Sequence, residues 1–295
     1  MGIGVYPMLV IGHDDFGQKI ADFLDVGFVH FEKRIFPDGE VCPRIMEEIS
    51  DDHVVFVNRM ALPAVPNTYY METLLAMKCL RGMGVDKIDV VMPYFVYSRQ
   101  DKVFRKGEPH SARYVLDLLK HCGASRFFTV VSHVDRTKDM IDADLPAYNV
   151  DGFSAIGKYL KNLRLDNPLI LGADLSVDVF TQRVAHALGV DGTAIEKKRN
   201  YDTGELTVVE RKIDCEGRDL VIVDDIISSG GTMMKAIEIG RGCGAKRIIA
   251  AAVHGVFSQG TLDRVKMKTW KTVTTDTVIN PAAEISVAEK IAEKI

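Results

Sequence analysis

The sequence predicts an α/β protein with two similar domains, each built on a mainly parallel sheet flanked by helices. Short apolar runs alternate with segments whose apolar residues recur at helical spacing, and this alternation occurs in both halves of the chain. A chain of 295 residues is also long enough for two domains of ordinary size. Because Pro146, Asn149 and Gly152 cluster where a turn is favoured, we predict domains at 1–148 and 149–295.

The first half is predicted to contain three strands with a helix after each of the first two. Apolar runs predict the strands at 54–57, 88–92 and 127–131, as expected for strands covered on both faces. Two sets of apolar residues at helical spacing predict the helices: Met71, Leu74, Leu75 and Cys79, and then Ala112, Val115, Leu116 and Leu119.

The second half repeats this alternation. Apolar runs predict strands at 169–171, 220–223 and 248–253. A helix is predicted after the second of these strands from four residues at i, i+3, i+4 and i+7, namely Met233, Ala236, Ile237 and Gly240. A short amphipathic helix is expected to close the chain near 287–295.

Composition excludes several classes of protein. With 47% apolar and 26% charged residues, the chain has the composition of a soluble globular protein. The net charge of -4 argues against a general nucleic-acid-binding protein, which usually needs a basic face. Five scattered cysteines indicate neither a disulfide framework nor a zinc site. Without a secretory leader or an apolar run near the roughly 20 residues of a membrane span, we expect a cytoplasmic protein without membrane or nucleic-acid partners.

The segment from Leu220 to Thr232 carries the most specific motif. Asp224 and Asp225 come at the end of the predicted strand, where open α/β sheets bind ligands. The loop that follows precedes a predicted helix, whose N-terminal N–H groups favour an anion. Five small residues form this loop: Ser228, Ser229, Gly230, Gly231 and Thr232.

The acidic pair needs a separate role, because carboxylates repel phosphate. We predict that they accept hydrogen bonds from sugar hydroxyls or help to position a metal. The simpler interpretation is that the whole segment ends a strand and turns into a helix. No Gly-x-x-x-x-Gly-Lys-Ser/Thr sequence occurs in the chain, so a nucleotide would have to be held in another way.

Further candidate residues lie at predicted strand ends and turns. The turn at 36–40 places two carboxylates around a glycine, and the charged loop at 102–109 could close on a polyphosphate. His133 and Asp174 each end a predicted strand, and Asp174 could share Mg²⁺ with phosphates. The run from Glu196 to Arg199 adds cations. Taken singly, each of these features is also typical of a turn, a solvated loop or a structural histidine.

Taken together, these motifs resemble the ribose-phosphate pyrophosphokinase (PRPP synthetase) family, especially its shorter archaeal-type members. The resemblance runs from about Phe36 to Val287, with the motifs in the order and at the spacing of the family. It implies two domains of phosphoribosyltransferase type and transfer of the β,γ-diphosphoryl group of ATP to the anomeric hydroxyl of ribose 5-phosphate. The expected products are PRPP and AMP, and the expected cofactor is Mg²⁺.

The resemblance also implies roles for individual residues. The catalytic residues would be Lys197 and Arg199, and the metal would be held by His133 and Asp174. The ATP-binding residues would be Phe36, Asp38, Gly39, Glu40, Arg99, Gln100 and Asp101. Ribose 5-phosphate would be bound by Arg199, Asp224, Asp225, Ser228, Ser229, Gly230, Gly231 and Thr232. The turn at 36–40 would serve the site of a neighbouring subunit, which implies a homo-oligomer.

Two segments depart from the family pattern. The family usually has an acidic residue two positions before the metal-site histidine, where this chain has Val131. Around the metal-site aspartate the family usually has Ser-Pro-Asp-x-Gly-Gly, where this chain has Gly172-Ala173-Asp174-Leu175-Ser176-Val177. Such glycines allow the backbone to approach a diphosphate closely.

Two alternatives follow from these departures and from the shared loop. The first is a non-catalytic homologue that binds ribose phosphates or nucleotides and regulates a partner. The second is a phosphoribosyltransferase, which would consume PRPP. We rank the second alternative last, because it leaves the motifs at 36–40 and 99–101 without a role.

Overall fold

The computed structural model describes residues 8–199, 206–208 and 213–295. The chain divides into two compact units. The first contains the described residues up to Ala61 together with Val65–Asp151 and Val287–Ile295, and the second contains Leu62–Ala64 and Gly152–Ser286. The sequence-based boundary at 148/149 stays a prediction; the compact units differ from it in assigning the C-terminal residues to the first unit.

The first unit is built on an eight-stranded sheet with the strand order β3-β2-β1-β4-β6-β7-β9-β8. The strands of this unit are β1 (Met8–Gly12), β2 (Gly27–Ile35), β3 (Val41–Ile45), β4 (His53–Val57), β5 (Met60–Ala61), β6 (Lys87–Val91), β7 (Arg126–Val130), β8 (Met140–Ile141) and β9 (Ala147–Val150). Strand β5 is not part of the eight-stranded sheet. The helices of this unit are α1 (Asp15–Leu24), α2 (Pro66–Gly82), α3 (Ser111–His121) and, at the end of the chain, α8 (Ala288–Ala292).

The second unit is built on a six-stranded parallel sheet with the order β11-β10-β14-β15-β16-β18. The strands of this unit are β10 (Leu169–Gly172), β11 (Asp191–Ala194), β12 (Lys197–Arg199), β13 (Leu206–Val208), β14 (Asp219–Ile227), β15 (Arg247–Gly255), β16 (Lys271–Thr275), β17 (Val278–Ile279) and β18 (Ala283–Ile285). Strands β12, β13 and β17 are not part of the six-stranded sheet. The helices of this unit are α4 (Phe153–Lys161), a 3₁₀ turn (Leu175–Val177), α5 (Asp178–Leu188), α6 (Gly231–Gly242) and α7 (Thr261–Lys266).

The two sheets share one topology. Six parallel strands of the first unit, in the order β2-β1-β4-β6-β7-β9, follow the chain in the same way as all six strands of the second unit's sheet. The first unit extends this core with the antiparallel strands β3 and β8. The predicted α/β fold with two similar, mainly parallel sheets is confirmed.

Helix α2 shows where the sequence pattern was misleading. The helix is present, but Met71 and Leu75 of the predicted stripe are 49% and 42% exposed. The buried face instead carries polar groups with partners: the hydroxyl of Tyr70 donates to the Val115 carbonyl at 2.7 Å, and Glu72 pairs with Lys33 at 3.1 Å. Because these polar groups are satisfied, α2 buries them and turns part of its apolar stripe outward.

Other elements follow the prediction more closely. The buried residues of α3 and α6 are the predicted ones: Ala112, Val115, Leu116 and Leu119 on α3, and Met233, Ala236, Ile237 and Gly240 on α6. Strand β14 is longer than predicted and continues to Ile227, because β15 is equally long and pairs with it up to Gly255. The acidic pair therefore lies inside β14, although the neighbouring β10 ends opposite Val223.

The prediction about cysteines was wrong for one pair. Cys215 and Cys243 form a disulfide bond, with their Cα atoms 5.8 Å apart. The bond joins the segment before β14 to the end of α6. The other three cysteines, Cys42, Cys79 and Cys122, are free. No helix in the described part of the chain is both long and apolar enough to cross a bilayer.

Both units hold an aspartate–arginine pair at the amino ends of their strands. In the first unit Asp89 accepts hydrogen bonds from Arg126 at 2.9 and 2.5 Å, and His53 lies 2.6 Å away. In the second, Arg247 donates to both carboxylate oxygens of Asp219. Burial alone would raise the pKa of each aspartate, but these hydrogen bonds outweigh it and lower both.

Candidate functional site

The acidic pair of β14 lies in the interior of the second unit. Asp224 is 5% and Asp225 is 7% exposed. The backbone N–H of Asp225 donates to Asp224 Oδ1 at 2.9 Å. Burial, together with the nearby carboxylates of Asp225 and Asp174, raises the pKa of Asp224 well above its usual value. A cation or sugar hydroxyls at this point would stabilise the ionised carboxylates.

Asp174 is the second residue after the end of β10, which is the neighbour of β14. It is the N-cap of the 3₁₀ turn, and its Oδ1 accepts hydrogen bonds from the backbone N–H, at 2.9 Å, and the hydroxyl of Ser176. Leu175 is half-exposed, whereas Val177 is fully buried. The segment without the family's glycines is thus a capped turn with one side chain in the core.

The loop 228–232 forms the N-terminus of α6. Gly230 is the N-cap and has φ 80° and ψ 0°, a left-handed conformation that favours glycine. A glycine offers no side-chain acceptor to the first N–H groups of the helix, which therefore remain available to an anion. Ser228 and Thr232 are half-buried, and Ser229 and Gly231 are exposed. This geometry suits a phosphate group, as the sequence predicted.

The acidic cluster fits a magnesium ion only in part. Magnesium prefers oxygen ligands and usually keeps water or substrate phosphates among them. Asp174, Asp224 and Asp225 offer such oxygens. Within 8–199, 206–208 and 213–295, however, no three acidic, histidine or cysteine side chains converge closely enough to hold a metal ion by themselves. The cluster therefore fits a magnesium ion that also binds a substrate phosphate, rather than a cage made by protein alone.

His133 follows β7 in the first unit, on a loop that Asn149 organises. Asn149 Oδ1 accepts from the N–H of Ser132 at 2.7 Å, and its Nδ2 lies within 3.0–3.4 Å of three carbonyl oxygens of the loop. Val131 has φ 40°, a conformation that β-branched residues rarely adopt. Arg136 Nη2 lies 2.7 Å from His133 Nδ1.

This contact affects the predicted metal role of His133. Because arginine can only donate, His133 Nδ1 accepts, and in a neutral ring the other nitrogen then carries the proton. Coordination of a metal by this ring requires Arg136 to move. His133 and Asp174 belong to different compact units, and their joint metal role stays a prediction.

The predicted ATP residues 36–40 form an exposed hairpin turn. The N–H of Phe36 donates to the Glu40 carbonyl at 2.8 Å, and Gly39, at φ 95°, donates to the Phe36 carbonyl at 2.9 Å. Asp38 Oδ1 accepts from the N–H of Glu40 at 3.1 Å. Gly12 pairs opposite His30, so β2 continues from there to Ile35 past the end of β1, a projection of about 16 Å.

The second group of predicted ATP residues, 99–101, follows β6. Gln100 Nε2 donates to the Lys102 carbonyl at 3.1 Å and to Glu108 at 3.2 Å, so it braces the charged loop at 102–109. Arg99 is exposed and Asp101 is half-buried. Strands β1 and β4 separate β6 from β2, a distance of roughly 14 Å across the sheet. Because Arg99 is the eighth residue after the end of β6, this strand spacing does not by itself fix the distance between the two ATP groups.

The predicted catalytic residues belong to a small hairpin. β12 and β13 pair antiparallel, with Lys197 opposite Val208 and Arg199 opposite Leu206. The side chains of Lys197 and Arg199 lie outside the part that the structure describes, as do residues 200–205 between the strands. Their catalytic roles stay predictions.

Sequence reasoning missed a second loop that contacts the phosphate-binding candidate. Residues 256–260 follow β15 and lead into α7, and Ser258 and Thr261 hydrogen-bond to carbonyls of the loop 228–232. The signal was available: soon after the apolar run at 248–253, the chain has the polar sequence Ser258-Gln259-Gly260-Thr261. A strand followed by a small, polar loop and a helix therefore occurs at β14 and again at its neighbour β15.

Comparisons with known proteins match both halves of the chain. A family model for the N-terminal domain of ribose phosphate pyrophosphokinase matches residues 9–123, and a model for the phosphoribosyl transferase domain matches residues 149–291. Together these matches cover most of the two compact units.

Individual relatives match over nearly their whole length. A ribose-phosphate pyrophosphokinase of Pyrococcus furiosus is 35% identical over 286 residues, covering 96% of this chain and 99% of the relative. One from Sulfolobus acidocaldarius is 32% identical over 283 residues, covering 94% and 96%. The crystal structure of phosphoribosylpyrophosphate synthetase from Mycobacterium smegmatis has a TM-score of 0.81 at 27% identity, covering 97% of both chains.

Proposed function

The chain belongs to the ribose-phosphate pyrophosphokinase family and is an enzyme of that family, and on this premise we propose its reaction in detail. It transfers the β,γ-diphosphoryl group of ATP to the anomeric hydroxyl of ribose 5-phosphate, giving PRPP and AMP, with Mg²⁺ as cofactor. The main support for this reaction comes from the second unit, at the end of β14. There the buried Asp224 and Asp225 precede the N-terminus of α6, which begins at a glycine and has no side-chain cap.

Different residues of the second unit bind different parts of ribose 5-phosphate. The loop 228–232 binds the 5-phosphate through backbone N–H groups and hydroxyls. Asp224 and Asp225 accept hydrogen bonds from the ribose hydroxyls and so orient the anomeric oxygen for in-line attack on phosphorus. One strand–loop–helix segment thus binds both the phosphate group and the hydroxyl groups of the sugar.

The remaining groups stabilise the charge that develops on the transferred phosphates. In phosphoryl transfer, positioning and electrostatics supply most of the catalysis. Lys197 and Arg199 are assigned to the diphosphoryl oxygens. A bound magnesium ion, held at the acidic cluster, would neutralise part of the same charge. The loop at 102–109, braced by Gln100, closes over the reacting phosphates and excludes water.

ATP is bound with help from a second copy of the chain. One observation supports this arrangement: the turn 36–40 projects about 16 Å past the end of the neighbouring strand β1. The test mixes two inactive proteins: the single variant Lys197→Ala and a double variant that carries both Asp38→Ala and Glu40→Ala. The mixture should regain activity if each copy completes the other's site. Failure of the mixture to regain activity, with both variants folded and associated, would contradict a shared site.

The reaction is tested by measuring AMP and PRPP formed from ATP, Mg²⁺ and ribose 5-phosphate. We expect the wild type to form both products, Lys197→Ala to lose them, and Lys246→Ala to behave as wild type. Lys246 is a suitable control because it is an exposed lysine of the same unit, paired with Asp166 at 2.6 Å. No AMP above the Lys197→Ala level in the wild type would refute the proposal.

A non-catalytic, regulatory homologue is the second candidate. The observation behind it is the capped turn after Asp174, where Val177 fills the core in place of a glycine. The variant Leu175→Gly with Ser176→Gly leaves Val177 in place and lets the backbone approach a diphosphate. If this variant forms AMP, and the wild type binds ribose 5-phosphate but forms none, the wild type is a non-catalytic homologue. Equal rates in both proteins would argue against it.

A further inference from the structure

The carbonyl oxygens of Ser228 and Ser229 are both held by the loop that follows β15. The backbone N–H of Ser258 donates to the Ser228 carbonyl at 2.9 Å, and the Ser258 hydroxyl lies 3.3 Å from the same oxygen. The hydroxyl of Thr261 lies 3.3 Å from the Ser229 carbonyl. Arg264 Nη2 donates to Thr261 Oγ1 at 2.9 Å and lies 3.4 Å from the Ser229 carbonyl.

These contacts decide which way the phosphate-binding candidate presents its backbone. In a trans peptide the carbonyl oxygen and the next N–H point in opposite directions. When the Ser228 and Ser229 carbonyls point toward Ser258 and Thr261, the N–H groups of Ser229 and Gly230 point away from them. The same contacts keep two carbonyl oxygens, which would repel a phosphate, on the far side of the loop.

Thr261 also limits the space behind the loop. It is fully buried, and a Cβ atom added to Gly230 would lie 2.8 Å from its Cγ2 atom. The methyl group therefore packs against the Gly230 backbone while the hydroxyl bonds to the Ser229 carbonyl. Arg264 is exposed in the last turn of α7, and its guanidinium contacts this hydroxyl and this carbonyl.

We propose that Thr261 and Arg264 are positioning residues for the sugar-phosphate site: they fix the loop's carbonyls so that its N–H groups face the 5-phosphate. The inference rests on the proposed function for the identity of the phosphate. Neither residue touches the reacting atoms, so both act on ribose 5-phosphate binding rather than on the chemical step.

The test compares Arg264→Gln, Arg264→Lys and Thr261→Val with the wild type. Arg241→Gln is the matched control, because Arg241 is an exposed arginine of the same unit that also donates to a carbonyl, that of Lys268, at 3.0 Å. Two quantities are measured: the Kd for ribose 5-phosphate by calorimetry without ATP, and kcat with KM for each substrate. Melting temperatures show whether each variant is folded.

We expect Arg264→Gln and Thr261→Val to raise the Kd and the KM for ribose 5-phosphate about 10-fold, with kcat and the KM for ATP changed less than about 3-fold. Arg264→Lys should recover part of the loss, because lysine also donates to a carbonyl. If Thr261→Val fails to fold, the exposed Arg264 variants still decide the question.

An unchanged Kd in Arg264→Gln, or the same change in Arg241→Gln, would overturn the inference. So would a loss of kcat with the Kd for ribose 5-phosphate unchanged. Absence of AMP formation by the wild type, with a Kd that still depends on Arg264, would refute the proposed reaction and leave the positioning role intact. A wild type that does not bind ribose 5-phosphate would overturn both.

Discussion

The two units have equivalent strand ends, but the side chains at these ends differ in charge. Ile11 of β1 pairs opposite Phe56 of β4, and Leu171 of β10 pairs opposite Ile222 of β14, so Asn58-Arg59 corresponds to Asp224-Asp225. In both units an aspartate follows the first of these strands and caps the next helical turn, Asp14 in one and Asp174 in the other.

In the first unit the charges at this edge satisfy each other. Arg59, whose side chain is 7% exposed, donates from Nε to Asp14 at 2.7 Å and from Nη2 to Asp15 at 2.8 Å. Asn58 donates to the Tyr69 carbonyl at 3.2 Å. The charged groups of this edge are thus paired with one another, although Asn58 Oδ1 is buried without a hydrogen-bond partner among the residues that the structure describes.

In the second unit the equivalent positions add carboxylates instead of a cation. The raised pKa of Asp224 reflects burial and the repulsion of Asp225 and Asp174. Such an edge is stabilised by a ligand that brings positive charge or hydroxyl donors. The difference teaches that one scaffold supports an ion-paired edge in one unit and a carboxylate-rich edge, the candidate sugar-phosphate site, in the other.

The largest expected effect is on the stability of the first unit. Arg59→Met should lower the free energy of unfolding by about 3–5 kcal/mol, because it leaves Asp14 as an uncompensated, largely buried charge. Arg113→Met is the control, since Arg113 and its partner Asp144 are both exposed, and its effect should stay below about 1 kcal/mol. Chemical denaturation measures both. A recovery in Arg59→Met with Asp14→Asn would support the ion pair as the cause, and equal effects of the two single variants would contradict it.

Reduction of the disulfide should weaken the second unit almost as much. The bond between Cys215 and Cys243 closes a loop with a sequence separation of 28, for which chain entropy gives about 3–4 kcal/mol. We expect a reductant to lower the unfolding free energy of the wild type and of Cys42→Ser equally, and to leave Cys243→Ser unchanged. Insensitivity of the wild type to reductant would show that the bond contributes nothing in solution.

Asp224→Asn should affect activity and spare stability, the reverse of Arg59→Met. We expect kcat/KM for ribose 5-phosphate to fall roughly 100-fold, because hydrogen bonds to a charged acceptor are lost. The melting temperature should hold or rise as like-charge repulsion disappears. Glu238→Gln, an exposed carboxylate on α6, is the control. AMP release and thermal melting give both readouts, and a destabilised, fully active variant would reverse our assignment of the two edges.

The smallest effect expected is a pH dependence of the first unit. Burial and the charges of Lys33, Arg59 and His30 lower the pKa of His13 to about 4, against the opposing effect of Asp14. Between about 6.5 and 4 the unfolded chain therefore binds a proton that the folded unit does not, so stability falls as the pH falls. From pH 7 to pH 5 this should amount to about 2 kcal/mol.

The pH experiment compares wild type with His13→Asn and with the exposed His186→Asn. Urea unfolding at both pH values should show a smaller pH effect in His13→Asn alone. A pH effect of the same size in all three proteins would assign it to other groups.

Several features of the fold could be predicted because they are local in the sequence. The helical faces of α3 and α6 follow from spacing within a dozen residues, and the segment from β14 to α6 is contiguous. The face of α2 could not be predicted in this way. Its orientation depends on partners for Tyr70 and Glu72 that lie far away in the chain, at Val115 and Lys33.

The sequence by itself determined the alternation of strands and helices, the family, and the loop 228–232, because each depends on residues that are neighbours along the chain. Only the tertiary structure decided which distant residues meet: Asp174 beside Asp224, Arg59 on Asp14, and Thr261 on the Ser229 carbonyl. The physical reason is that these contacts depend on strand order and register, which bring together segments separated by dozens of residues.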